Sequence, residues 1–243
     1  MGIMIYTRKM IALVMACIGV MQLCAQQKLN LQFVNMVGES KLNIGDSYKT
    51  SFDEPFTVRR FKYYISNIQL QDDHQQWHKV SSECFLVDAE DPASQAITVN
   101  HGLKNIKSIK FLLGVDSIKN VSGVQTGTLD PARGMFWTWN SGYIVAKLEG
   151  KSSVSKALGR YMTYDVGGYK PGENASRWIV LPLTPATKNK PLQAISIKAD
   201  VLAWFKGENK ILIAENAVCH EPGILAMKLA DNYSHMFSIL QKQ

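Results

Sequence analysis

The chain has 243 residues, of which 46% are hydrophobic and 19% charged, with 27 Lys and Arg against 20 Asp and Glu and a net charge of +7. That apolar fraction excludes a disordered chain, and the length suits one domain with a sizeable core. The basic excess is small and its lysines and arginines are scattered, which excludes the basic stripe with stacking aromatics that a nucleic-acid binder shows.

The first element in chain order is a leader. Residues 1–9 carry Arg8 and Lys9 and no acid, residues 10–23 read MIALVMACIGVMQL, and Cys24-Ala25-Gln26 ends the apolar run. A basic start, a short apolar core and a small residue at the cut describe a secretory signal peptide. The run is too short for a comfortable membrane span, which needs about 20 residues. Cleavage after Ala25 is expected, giving a signal peptide at 1–25 and one domain at 26–243. A lipoprotein anchored through Cys24 is the alternative that bulky Leu23 disfavours, and an uncleaved N-terminal anchor is the other. Removing Arg8 and Lys9 takes 27 basic residues to 25 against 20 acidic ones, leaving +5. Cys84 and Cys219 remain in the mature chain, either as a disulfide of an oxidising compartment or as two buried thiols.

From Leu29 onward the dominant period is two, the signature of half-buried strands. Leu29–Val34 alternates. Phe56–Leu70, FTVRRFKYYISNIQL, is rich in β-branched and aromatic residues, with Phe61, Tyr63 and Ile65 on one face and Tyr64 and Ser66 on the other. Strands are also expected over 83–89, 106–115, 143–149 and 178–183, and most clearly over 194–205, AISIKADVLAWF. Turn clusters such as GDS, EDPAS and GGYKPGEN lie between them. Strands with regular turn signals predict an all-β sandwich with Greek-key-like antiparallel sheets and long loops. A short helical piece is expected within 116–135. The apolar spacing of 223–240 predicts a C-terminal helix.

Six stretches carry a resemblance. Gly134-Met135-Phe136-Trp137-Thr138-Trp139-Asn140-Ser141-Gly142-Tyr143 is similar to the GM-x-W-x-W-x-x-GY signature of the copper-binding MbnP-like family. Val37-Gly38, Phe61–Leu70, Phe111–Asp116 (FLLGVD), Thr128–Pro131 (TLDP) and Ala226–Phe237 (AMKLADNYSHMF) match that family's other motifs in order. The resemblance runs from about Leu29 to Ile239. It implies a periplasmic or secreted β-sandwich tied to copper handling, a binding protein and not an enzyme. The family's founding members accompany methanobactin, and in some members a dihaem peroxidase-type partner oxidises a tryptophan.

Copper favours thiolate, thioether and imidazole donors. The mature chain has His74, His78, His101, His220 and His235, without an H-x-H or C-x-x-C arrangement. His74 and His78 straddle Trp77 in a polar turn, and His101 and His235 read as loop or rim residues. His220 follows Cys219 in a loop before the last helix, where it is either a ligand or a helix-capping histidine. Where the family commonly places a histidine after its aromatic residue, Tyr164 is followed by Asp165. Met135 could add a thioether. His220, Cys219, Asp165 and Met135 are therefore the candidate metal residues. Trp137 and Trp139 are candidates for an aromatic wall beside the metal, or else for core packing. The alternative to copper binding is a secreted scaffold or partner-binding module that kept the fold and lost its ligands. No G-x-S-x-G elbow and no phosphate-binding glycine loop occurs, so no enzyme class is indicated.

Overall fold

The computed structural model describes residues 26–138, 141–183 and 192–240. The expected signal peptide at 1–25 and Trp139 lie outside the described residues. The first strand, β1 (Gln27–Val37), buries every second residue from Leu29 onward, so the period-two pattern becomes one apolar face. Short strands β2 (Ser40–Lys41) and β3 (Ser47–Lys49) lead into β4 (Pro55–Gln71), the longest strand. β5 (Trp77–Lys79), β6 (Cys84–Asp88), β7 (Ala96–His101) and β8 (Ser108–Leu113) follow. A one-turn helix, α1 (Ser117–Val121), is capped by Asp116, whose carboxylate accepts from Lys119 N–H at 3.0 Å. After it come β9 (Phe136–Thr138), β10 (Gly142–Lys151), β11 (Tyr161–Gly167), β12 (Arg177–Pro182) and β13 (Ala194–Asp200). β14 (Val218–Cys219), α2 (Ile224–Tyr233) and β15 (Phe237–Ile239) end the chain.

Two sheets result. The smaller runs β15-β13-β1-β2, with β7 also on β1. The larger runs β12-β8-β4-β10-β11-β14, with β3, β5 and β6 also on β4 and β9 on β10. The sandwich is as expected, but the sheets are mixed: β1 pairs with β13 in parallel, and β11 with β14 in parallel. Phe33 of the small sheet meets Tyr63 and Phe111 of the large sheet edge-on, at 6.1 and 5.9 Å between centroids. These T-shaped contacts, which suit the aromatic quadrupole, lie at the centre of the main core.

Two expected elements stop early. The strand from 194 ends at Asp200, because its Oδ1 accepts from Gly38 N–H at 2.9 Å and from Leu202 N–H at 3.0 Å and so caps a 3₁₀ turn over Val201–Trp204. The C-terminal helix covers only 224–233. Ala226, Leu229, Ala230 and Tyr233 form its buried stripe, and Phe237–Ile239 then leaves to pair with β13.

The large sheet is apolar on both sides over part of its area. Phe61, Tyr63 and Ile65 join the main core. Tyr64 joins a second core with Cys84, Leu129, Met135 and Tyr143, under the excursion 116–142. Hydroxyl groups fasten that excursion: Tyr64 donates to Thr128 C=O at 2.9 Å and Tyr143 to Leu129 C=O at 2.8 Å. Cys84 and Cys219 are both free and buried, in different cores, so the two-thiol alternative holds.

Candidate functional site at the outer face of the large sheet

Alternation along the strands decides which side chains can meet. On β10, Ala146 and Leu148 enter the main core and Lys147 turns outward. On β11, Tyr164 and Val166 enter the core and Asp165 turns outward. Lys147 and Asp165 are direct cross-strand partners. On β14, Cys219 is paired with Tyr164 and faces the core with it. His220, the next residue, is exposed, and it follows the strand that pairs with β11 beside Asp165.

The row continues across the sheet. Lys147 lies opposite Lys62 on β4, and Lys62 opposite Asp88 on β6. Each lysine has its own acid. Lys62 Nζ is 2.9 Å from Asp88 Oδ2. Lys147 Nζ is 2.9 Å from Asp165 and 2.8 Å from Glu149 Oε1, whose other oxygen holds Arg60 at 2.7 Å. Without those carboxylates two lysines directly opposite would repel.

The electrostatics follow from this half-dry network. Burial pushes the Asp165 carboxyl above its ordinary value, with the Lys147 hydrogen bond acting against that. Burial also opposes ionisation of Glu149, but hydrogen bonds from Lys147 and Arg60 outweigh it and hold that carboxyl below its ordinary value. Both Asp165 oxygens lie 2.9 Å from Lys147 Nζ: Oδ2 takes its hydrogen bond, and buried Oδ1 has the ion-pair contact alone.

The signature loop lies on the same side. Trp137, on β9, packs against the second core. It also covers Gly167, two residues beyond Asp165: a Cβ there would stand 3.0 Å from Trp137 Cζ3 and 2.7 Å from the Tyr143 carbonyl oxygen. Glycine at 167 is thus what lets the tryptophan come this close to the strand.

The outer face thus carries Trp137 and Asp165, with His220 following the neighbouring strand, and adds Lys147, which the sequence did not single out. It does not bring in the other two candidates. Met135 is fully buried in the second core. Cys219 faces the main core, and burial raises its thiol to about 11, so it stays protonated at neutral pH. The remaining histidines lie elsewhere. His78 binds Asp72 at 2.7 Å, His235 lies 3.5 Å from Glu208, and His101 is 5% exposed at the end of β7. Among the described residues, no group of three or more His, Cys, Asp or Glu is placed to hold a metal ion. The donors at the outer face therefore fit an open contact of one imidazole and one carboxylate. They do not fit a closed Cu(I) site rich in sulfur.

A two-sheet sandwich whose large sheet carries a tryptophan-bearing excursion on its outer face is the class of protein defined here. The profile of the MbnP family matches residues 26–221, and the chain belongs to that family. Among solved structures it is similar to MbnP from Methylosinus trichosporium, with a TM-score of 0.54 and 14% identity over 76% of this chain and 79% of that one. At that identity the likeness is one of fold. No curated protein matches the sequence.

The family motifs have structural work in this chain. Asn232 of the Ala230-Asp231-Asn232 stretch is fully buried and donates to Trp204 C=O at 3.0 Å and Asn209 C=O at 2.7 Å. Asp231 holds Arg177 at 2.6 Å. Asn120 accepts from Tyr143 N–H at 2.9 Å and donates to Val115 C=O at 2.9 Å, tying the FLLGVD stretch to the start of β10.

Proposed function

We propose that this chain is an exported MbnP-family binding protein that serves copper homeostasis outside the cytoplasm. It offers copper an open, exchangeable contact at His220 and Asp165 and does not enclose the ion. The observation that carries this reading is that the signature-loop Trp137, packed on Gly167 of β11, lies on the face of the large sheet to which Asp165 of the same strand turns, with exposed His220 following β14 beside it. Export rests on the residue pattern of 1–25. No helix of the described residues is long and apolar enough to cross a membrane. A dihaem peroxidase-type protein is the partner that family membership brings with this reading, and Trp137 is the residue it would approach.

The test is an anaerobic titration of residues 26–243 with Cu(I), and an aerobic one with Cu(II), each against a competing chelator. About one equivalent of weakly held Cu(II), lost in His220→Ala, is expected from an imidazole–carboxylate pair. If neither oxidation state competes, or if His220→Ala binds as the wild type does, the copper reading fails. A second reading then stands: a partner-binding module that kept the family fold. The Lys147 ammonium favours it, since it already neutralises Asp165 from within the chain.

A further inference from the structure

A second surface lies on the same sheet, beyond β4 and away from His220. On β8, Ile109 and Phe111 enter the main core and Lys110 turns outward. On β12, Ile179 and Leu181 enter the core, while Trp178 and Val180 turn outward and are 49% and 51% exposed. β12 is the edge of the sheet. An outward Trp and Val beside each other on an edge strand form an uncovered apolar surface, where edges are ordinarily guarded by charge.

The register completes the patch. Lys110 pairs with Val180 on one side and Gln69 on the other, and Gln69 pairs with Lys79 on β5. The Lys110 ammonium lies 4.6 Å from the Trp178 ring centroid and 5.7 Å from that of Trp77. The two indoles are therefore no further apart than those two distances together, about the reach of two linked pyranose rings. Among the described residues, neither Lys79 nor Lys110 has a carboxylate within ion-pair distance. This contrasts with the lysines of the Asp165 network, each of which is paired.

We propose that this face, built from Trp77, Lys110 and Trp178 with Gln69 and Lys79, binds an acidic polysaccharide that carries uronate groups. The C–H face of a sugar ring lies against an indole as any flat apolar partner does. The amide of Gln69 suits sugar hydroxyls. The ammonium groups of Lys110 and Lys79 supply the charge that a uronate carboxylate complements. The surface is a strand face on which Gln69, Lys79 and Lys110 alternate with the indoles, which disfavours an amphipathic helix, since that needs an apolar groove. The preference for a glycan over a nucleic acid rests on the export reading above, and the test separates the two.

The experiment is affinity electrophoresis of residues 26–243 in native gels containing alginate, dextran or single-stranded DNA. Retardation by alginate and none by dextran is expected. Trp178→Ala should weaken it about tenfold, the loss of one stacking contact. Lys110→Gln should weaken it too, while His220→Ala should leave it unchanged, which keeps this result independent of the copper titration. Trp178 is exposed, so its removal does not threaten the core, and unchanged urea midpoints of both variants confirm that. Absence of retardation by alginate, equal retardation by dextran, equal or stronger retardation by the DNA, or retardation unaffected by Trp178→Ala would each overturn the proposal.

Discussion

Lys147 is the residue on which the outer face depends. Its side chain is 10% exposed, and its ammonium is held by oxygens of both Asp165 and Glu149. In Lys147→Met those two carboxylates keep their half-buried places without a cation between them. Breaking such a pair from one side is expensive, and a loss of about 3 kcal/mol is expected in the urea unfolding free energy. The two acids pull the pH dependence in opposite directions. Glu149, held below its ordinary value, adds stability above that value, and the contribution is lost as pH falls through its folded value. Asp165, held above its ordinary value, does the reverse: protonation on acidification relieves the fold. Glu149→Gln should therefore make the acid limb of the stability profile shallower, and Asp165→Asn should make it steeper. Urea midpoints measured from neutral to acid pH check both signs, and the same slope in both variants would refute them.

Among the elements, α2 and the strand after it show why a motif can be visible while its role is not. Asn232 reads as part of a family motif, but its neighbours in sequence do not reveal that its amide bridges Trp204 and Asn209. Asn232→Ala strands two buried carbonyl groups and should cost about 3 kcal/mol, read from the shift in thermal or urea unfolding. Long strands were legible because alternation over many residues fixes a face. β4, with Phe61 and Tyr63 inward and Tyr64 on the opposite side, lies as the pattern indicates. β2 and β14, of two residues each, are too short to show any period. β7 does alternate cleanly over Ala96–His101, so its signal was present but brief. The helix expected to reach 240 ended at 233 because the apolar spacing of Phe237 and Ile239 suits a helix face and a strand equally, and the pairing with β13 decides between them. The candidate site was half legible for the same kind of reason. Cys219 and His220 are adjacent and look like a ligand pair, yet consecutive residues leaving a strand turn to opposite faces. That His220 follows a strand beside β11 depends on the parallel contact of β11 with β14, which nothing local announces.

At the scale of the whole molecule, the C-terminal stretch belongs to the same interior as the first strand. Phe237 meets Phe33 at 6.1 Å and Phe111 at 5.2 Å, and Tyr233 meets Trp204 at 5.1 Å. A chain cut after residue 223 loses Leu229, Tyr233 and Phe237 from the main core and the strand that covers β13. It should show no cooperative urea transition, while the intact chain shows one; a retained sharp transition in the truncated chain would sink that expectation. The parallel contact of β1 with β13 has a consequence for how such a chain is made. Asn30 pairs with Ala194, so β1 can gather β2 and β7 early, but the small sheet is complete only when the distant β13 arrives. Contacts of such long sequence separation form slowly. A chain made from its N-terminus therefore leaves that edge of β1 without its partner strand until the rear of the chain has followed.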